Sequence, residues 1–198
     1  DRWENGSIAF RAKFEQTRAE DRVMKTNGKL MTMLTGYAAS HRHPFNVFVH
    51  MIGIPTIMLG VLIPLTWVTI AVNDFQFSLG HVLVLALFLF YLTLDALFAV
   101  VFLVGGILLE MFASKLGGYP GNAGWIIAAL LFFGGYVAQF IGHAVEKSMP
   151  VLVEHPVQAN LAAPFFTVVE LFHIIGLRDD LFKEVQSQID ALRQGDAR

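Results

Sequence analysis

Cysteine is absent from the 198 residues, which removes disulfide frameworks, thiolate nucleophiles, cysteine-bound zinc and iron–sulfur clusters from consideration. Any metal must be held by His, Asp or Glu. Charge is also scarce: Asp, Glu, Lys and Arg make up 15% of the chain, against about 25% in soluble domains. The net charge of -2 offers no basic surface to neutralise phosphates, which argues against nucleic acid as a partner. Internal repeats and low-complexity segments are lacking. The opening stretch is polar, so no secretory leader with an apolar core is expected there.

What the chain does have is apolar bulk, with 55% hydrophobic residues and a mean hydropathy of +0.57. Such a chain partitions into lipid, and its length suits one integral membrane domain, 1–198, with few crossings of about 20 residues each. The expected class is all-α: a polytopic membrane helical bundle of about four crossings, with amphipathic surface helices at both ends. Residues 1–44 read as a helical, water-facing segment with Gly28 as a break, 45–177 as the membrane core, and 178–198 as an amphipathic tail. In that tail Leu181, Val185, Ile189 and Leu192 form one stripe with charge opposite.

Within the core, Phe45 to Val72 carries no charge and reads as the first crossing, kinked at Pro55 and Pro64. A polar link, Asn73–Gly80, follows. The apolar stretch from His81 to Leu116 is too long for one span and suits two folded near Asp95; the alternative is one crossing followed by a re-entrant piece from Gly105. The Gly- and Pro-bearing Gly117–Asn122 stretch is a loop, and Ala123–Ala144 is a further crossing. Asn160–Gly176 is apolar but short and contains Pro164, so it is expected in the interface. Lys and Arg gather before Phe45 and after Gly176, which places both termini on the cytoplasmic side.

Two segments concentrate polarity at the ends of crossings. In the first, Pro44 suits the first helical turn, His43 the cap, and Asn46 and His50 fall four apart on one face, with His41 and Tyr37 just upstream. In the second, Gln139, His143 and Glu146 share a face at spacings of four and three, and Gly142 allows another helix to come close. Ionisable groups this near hydrocarbon are costly and usually serve function. His41, His50 and His143 with a carboxylate would suit a redox metal with open positions. A lone His at a membrane boundary is more often a plain hydrogen-bonding residue, and that reading is kept for His81, His155 and His173. Asp95 with Tyr91 is either a polar pair at a helix turn or a group orienting a ligand. Phe-rich stripes read as packing and lipid contact, although an acyl chain needs such walls as well. If His41 and His50 lie on the cytoplasmic side, His143 meets them only when an even number of crossings intervenes.

The order Tyr37, His41, Pro44, Asn46, His50, GIP at 53–55, YLTLD at 91–95, QFIGH at 139–143, Glu146, Pro150 and APFF at 163–166 resembles the membrane 2-hydroxy fatty acid dioxygenases of fatty acid alpha-oxidation. The resemblance runs from about Tyr37 to Leu181. It implies an Fe(II)-dependent enzyme that uses molecular oxygen to shorten a 2-hydroxy fatty acid by one carbon, in a bacterial inner membrane or the endoplasmic reticulum. It also implies His41, His50 and His143 as metal ligands, with Asn46, Gln139, Glu146, Tyr37 and Asp95 as catalytic neighbours. One departure is Glu146, which follows His143 by three residues where four are expected. Two rival readings are a transporter or channel with a His/Glu coordination site, and a non-catalytic assembly subunit. A di-iron hydroxylase needs denser His boxes than seven dispersed histidines supply. Imidazoles alone do not separate iron from zinc or manganese.

Overall fold

The computed structural model describes residues 43–178, together with Gly28, Leu30, Leu34, Thr35, Ala38, His41, Lys183 and Ser187. Tyr37 and the apolar stripe of the tail lie outside the described residues. Lys183 and Ser187 are helical and exposed. Gly28 has helical backbone rather than forming a break; glycine inside a helix costs about 1 kcal/mol relative to alanine but does not forbid it.

Helices dominate, with a single two-stranded sheet among the described residues. Helix α1 spans Pro44–Thr66, starts on a proline at its first turn, and is capped by the His43 ring, which accepts from the Phe45 amide. It runs on through Pro55 and Pro64. Strands β1, Thr69–Val72, and β2, Phe75–Ser78, then pair antiparallel with Val72 opposite Phe75. Asn73 takes the left-handed conformation at the turn, φ 53°, a geometry asparagine tolerates better than most residues. The expected first crossing therefore stops at Thr66, and its last residues are a strand. A short apolar run does not by periodicity distinguish strand from helix.

Helix α2, Leu79–Leu92, begins with a capping box between Ser78 and His81. Helix α3, Ala96–Gly117, begins on Asp95, whose carboxylate accepts from the Leu97 and Phe98 amides. The turn near Asp95 is thus as expected, and no separate re-entrant piece starts at Gly105. Helix α4 is Ala123–Glu146, α5 the short Val151–Glu154, and α6 Pro156–Ile174.

Among the described residues four helices are long and apolar enough to cross a membrane: α1, α3, α4 and α6. The number matches the expectation but the set does not. At 14 residues, α2 is only about 21 Å long, short of a hydrocarbon core of about 30 Å. The segment expected in the interface is instead part of α6, a 19-residue helix that contains Pro164. Prolines persist in such helices because neighbours re-satisfy the freed backbone groups.

The tightest seam joins α1 to α4. Gly60 leaves no room for a methyl group, since a Cβ there would lie 2.6 Å from the Phe132 amide nitrogen, and Gly135 lies equally close to Ile57. Gly142 is filled by Asn46, the close approach expected for it. Lipid gives helices no hydrophobic reason to associate, so small residues that let backbones meet are what hold such a pair. A second nucleus is aromatic: Tyr91, Phe98, Phe102, Phe165 and Phe172 interlock between α2, α3 and α6, and the Tyr91 hydroxyl donates to the Leu161 carbonyl at 2.8 Å.

Candidate metal centre

Because α1 leads away from its first turns and α4 returns antiparallel along the glycine seam, the start of one helix lies beside the end of the other. His50 sits two turns into α1 and His143 one turn from the end of α4. His41 precedes α1. The three rings converge: centroids are 4.3 Å apart for His41 and His50, 4.8 Å for His41 and His143, and 5.0 Å for His50 and His143. One nitrogen from each lies within 4.8 Å of the others, and all three residues are buried. Among the described residues no other group of three or more His, Asp or Glu is so close. Small ring rotations bring these nitrogens within reach of one ion, whose bonds to imidazole run to roughly 2.0–2.1 Å for zinc. The donor set fits a transition metal.

The far nitrogens are already engaged. His50 Nδ1 lies 2.9 Å from the Asn46 carbonyl, one turn earlier on the same helix, and His143 Nδ1 lies 2.9 Å from Ser148 Oγ. An Nδ1–H donated to a backbone carbonyl leaves Nε2 with its lone pair pointing into the cluster, the arrangement that metal-binding histidines adopt. Asn46 is completely buried and its Nδ2 donates to Glu146 Oε2 at 2.6 Å, which ties α1 to α4 just outside the rings. The cluster of candidate ligands leaves Glu146 out.

A cavity of about 130 Å³ opens from these imidazoles. Its walls are Ile54, Met58 and Val61 of α1, Leu83 and Leu87 of α2, Tyr136, Gln139 and Phe140 of α4, and Ala159, Asn160 and Ala163 of α6, with Pro150 to Leu152 at the rim. Apolar surface predominates. Gln139 lies one turn before His143, and its buried Nε2 finds no partner among the described residues. Tyr136 donates to Asn160 Oδ1 at 2.8 Å, which links α4 to α6 across the cavity.

The structure thus brings together His41, His50, His143, Asn46, Gln139 and Glu146. Asp95 stands apart as the cap of α3, paired with Arg178, whose guanidinium also lies 4.7 Å from the Phe98 ring centroid. Of the histidines given an ordinary reading, His81 belongs to a second polar cluster with Ser78 and Glu110. Ser148, Tyr136 and Asn160 were not singled out from sequence. Tyr136 carries a readable signal, seven residues before His143 on the same face. Ser148 carries none, because it lies beyond the end of its helix.

Comparison with known proteins gives a consistent result. The profile of the family described as 2-hydroxy-palmitic acid dioxygenase Mpo1-like matches residues 28–175. The 2-hydroxy-palmitic acid dioxygenase MPO1 of Saccharomyces cerevisiae is 29% identical over 162 residues, covering 81% of this chain and 90% of that protein. No solved structure matches the chain.

Proposed function

The chain belongs to the Mpo1-like 2-hydroxy-palmitic acid dioxygenase family, and from that membership and the imidazole cluster we propose that it is a membrane-embedded, iron-dependent dioxygenase of 2-hydroxy fatty acids. The observation that carries this is the convergence of His41, His50 and His143 at the mouth of a largely apolar cavity. Fe(II) held there would supply the redox chemistry by which molecular oxygen shortens the acid by one carbon, with loss of its carboxyl carbon. Family membership favours the enzyme over the transporter and assembly readings.

The chain's own residues have separable tasks. The Asn46 carbonyl and Ser148 hold the His50 and His143 rings in orientation. The Asn46–Glu146 bond locks the two helices that deliver them. Gln139 offers Nε2 to the carboxylate or hydroxyl of the substrate; a buried donor without a partner costs about 1–3 kcal/mol, so an acceptor arriving with substrate relieves that cost. Ile54, Met58 and Leu87 wall the acyl tail and keep water from the reacting head. Tyr37 and Asp95 belong to this proposal as supporting groups; Asp95 acts through the start of α3. We further read the chain as one domain in an inner membrane or the endoplasmic reticulum, with cytoplasmic termini.

The test is product identification with protein in detergent, 2-hydroxypalmitic acid and oxygen. The expected product lacks one carbon, and its formation stops on chelation and in His143→Ala. Unchanged acid in the presence of folded, iron-bearing protein would contradict the proposal.

A further inference from the structure

The cavity beside the imidazoles reaches the surface of the bundle most openly between α4 and α6. Of the residues that line it, Phe140 of α4 and Asn160 of α6 are exposed, Phe140 by 47%, and the rest are buried or half-buried. Tyr136, one turn before Phe140, spans this gap by donating to Asn160 Oδ1 at 2.8 Å. The level of the gap follows from helix rise. Phe140 is six residues, about 9 Å, from the end of α4, and Asn160 is four residues, about 6 Å, from the start of α6. His143 and His50 lie about 5 Å and 9 Å inside the matching ends of α4 and α1. Gap and imidazoles thus share one depth, in helices long and apolar enough to cross a bilayer. The α4 surface beside the gap is apolar too, with Phe133, Val137 and Ile141 each more than half exposed.

We propose that this gap is a lateral mouth through which a single-chain lipid enters from the surrounding leaflet, and that the Tyr136–Asn160 bond must open to let it pass. The identity of that lipid as a 2-hydroxy acid rests on the oxygenase reading; the route does not. A fatty acid in a bilayer keeps its head at the boundary and its tail in hydrocarbon. A sideways step at constant depth therefore brings the head to the imidazoles while the tail stays out of water. Entry from the aqueous side would carry every methylene through water, the transfer that apolar chains resist. Since lipid is as apolar as the cavity wall, the tail gains little by the step, and the polar head supplies the preference for the site. Pro164, which lines the cavity one turn beyond Asn160, has no N–H to offer the Asn160 carbonyl. That missing rung gives the first turn of α6 a place to swing as the bond opens.

The chain has no cysteine, so introduced thiols are modified selectively after folding. Tyr136→Cys with Asn160→Cys gives a pair that a short bismaleimide with a reducible link joins across the gap. The full chain in phosphatidylcholine nanodiscs, without oxygen, then receives 2-hydroxypalmitic acid bearing a diazirine on its tail, and flash-labelled residues are mapped by mass spectrometry. Label should form on the cavity wall at Ile54 and Met58 before bridging, fall roughly tenfold or more in the bridged chain, and return on reduction. Label on lipid-facing Phe133 should stay constant throughout. Phe140→Cys plugged with a bulky maleimide should lose cavity label likewise, which keeps the test open if the double variant does not fold. Val151→Cys, at the rim on α5, should keep its cavity label when plugged with the same reagent. Cavity label that neither bridge nor Phe140 plug lowers, or that the Val151 plug removes, overturns the lateral mouth. So does cavity label absent from every preparation. Label blocked as described, without turnover of the acid by the iron-bearing chain, would uphold the mouth and sink the oxygenase reading instead. Turnover that persists in the bridged chain would do the reverse.

Discussion

Two polar clusters, both built from histidine and carboxylate, occupy opposite ends of this bundle; the three imidazoles of one are buried, whereas in the other Ser78 and Glu110 are buried and His81 is exposed. At the hairpin end, Ser78 Oγ donates to Glu110 Oε1 at 2.6 Å, His81 Nδ1 lies 3.0 Å from the same oxygen and 2.9 Å from Ser78 Oγ. Every one of these groups faces another, and a single ring nitrogen serves both neighbours. The cluster is closed, and it fastens the start of α2 to α3, where Gly80 leaves the Glu110 chain just enough room. At the other end the engaged nitrogens of His50 and His143 point outward to Asn46 and Ser148, and the rings face one another at the mouth of a cavity. Polar atoms in an apolar bundle are either satisfied by the fold or directed toward something the fold does not contain. The comparison separates a fastening from a site better than residue type does.

The largest effect should come from the open end. Replacing His50 or His143 by alanine is expected to lower metal occupancy and turnover on the order of 100-fold or more, since changes to groups that merely orient ligands already cost 10–100-fold. Metal content and product formation, measured on the same preparation, check this. Next come the groups that hold the rings: Asn46→Leu and Glu146→Gln should each reduce metal affinity by roughly 10–100-fold, and a chelator competition titration reads it directly. If these variants behaved like the unaltered protein, the Asn46–Glu146 bond would be a fastening of the second kind.

The closed end should respond in stability, not in chemistry. Glu110→Gln is expected to destabilise the fold by about 1–3 kcal/mol by weakening its bonds to Ser78 and His81, while metal content and turnover per folded molecule stay the same. Thermal unfolding in detergent gives the first quantity. A loss of metal in this variant would blur the distinction between the two ends. Smallest of all, Trp67→Phe removes the bond from Nε1 to the Gly117 carbonyl, 3.0 Å, beside the Trp125 ring, and should cost about 1 kcal/mol.

Much of the open end was legible in the sequence because its parts are local. Asn46 and His50, and Gln139, His143 and Glu146, are separated by single helical turns, and Gly142 marks the close approach that Asn46 fills. The meeting of the two segments needed only an even number of passages between them, which the short α2 and the full-length α3 provide. The hairpin was not legible, since Thr69–Val72 continues the apolar run of α1 without a change of period, and only Asn73 hints at the turn. The course of α6 was equally hidden. Its Pro164 and Glu170 suggested an interfacial segment, yet both are buried against the other helices. Asp95 was legible only as a polar group at a helix turn or one that orients a ligand, and the carboxylate's bonds to the Leu97 and Phe98 amides, which cap α3, could not be read from its type alone.

The most direct measurement is elemental analysis of the protein purified without added metal, beside His50→Ala and Glu110→Gln prepared identically. Stoichiometric iron in the unaltered chain and in Glu110→Gln, with its loss in His50→Ala, is the predicted result. Iron absent from all three, or retained equally by His50→Ala, would contradict a metal centre built from these imidazoles.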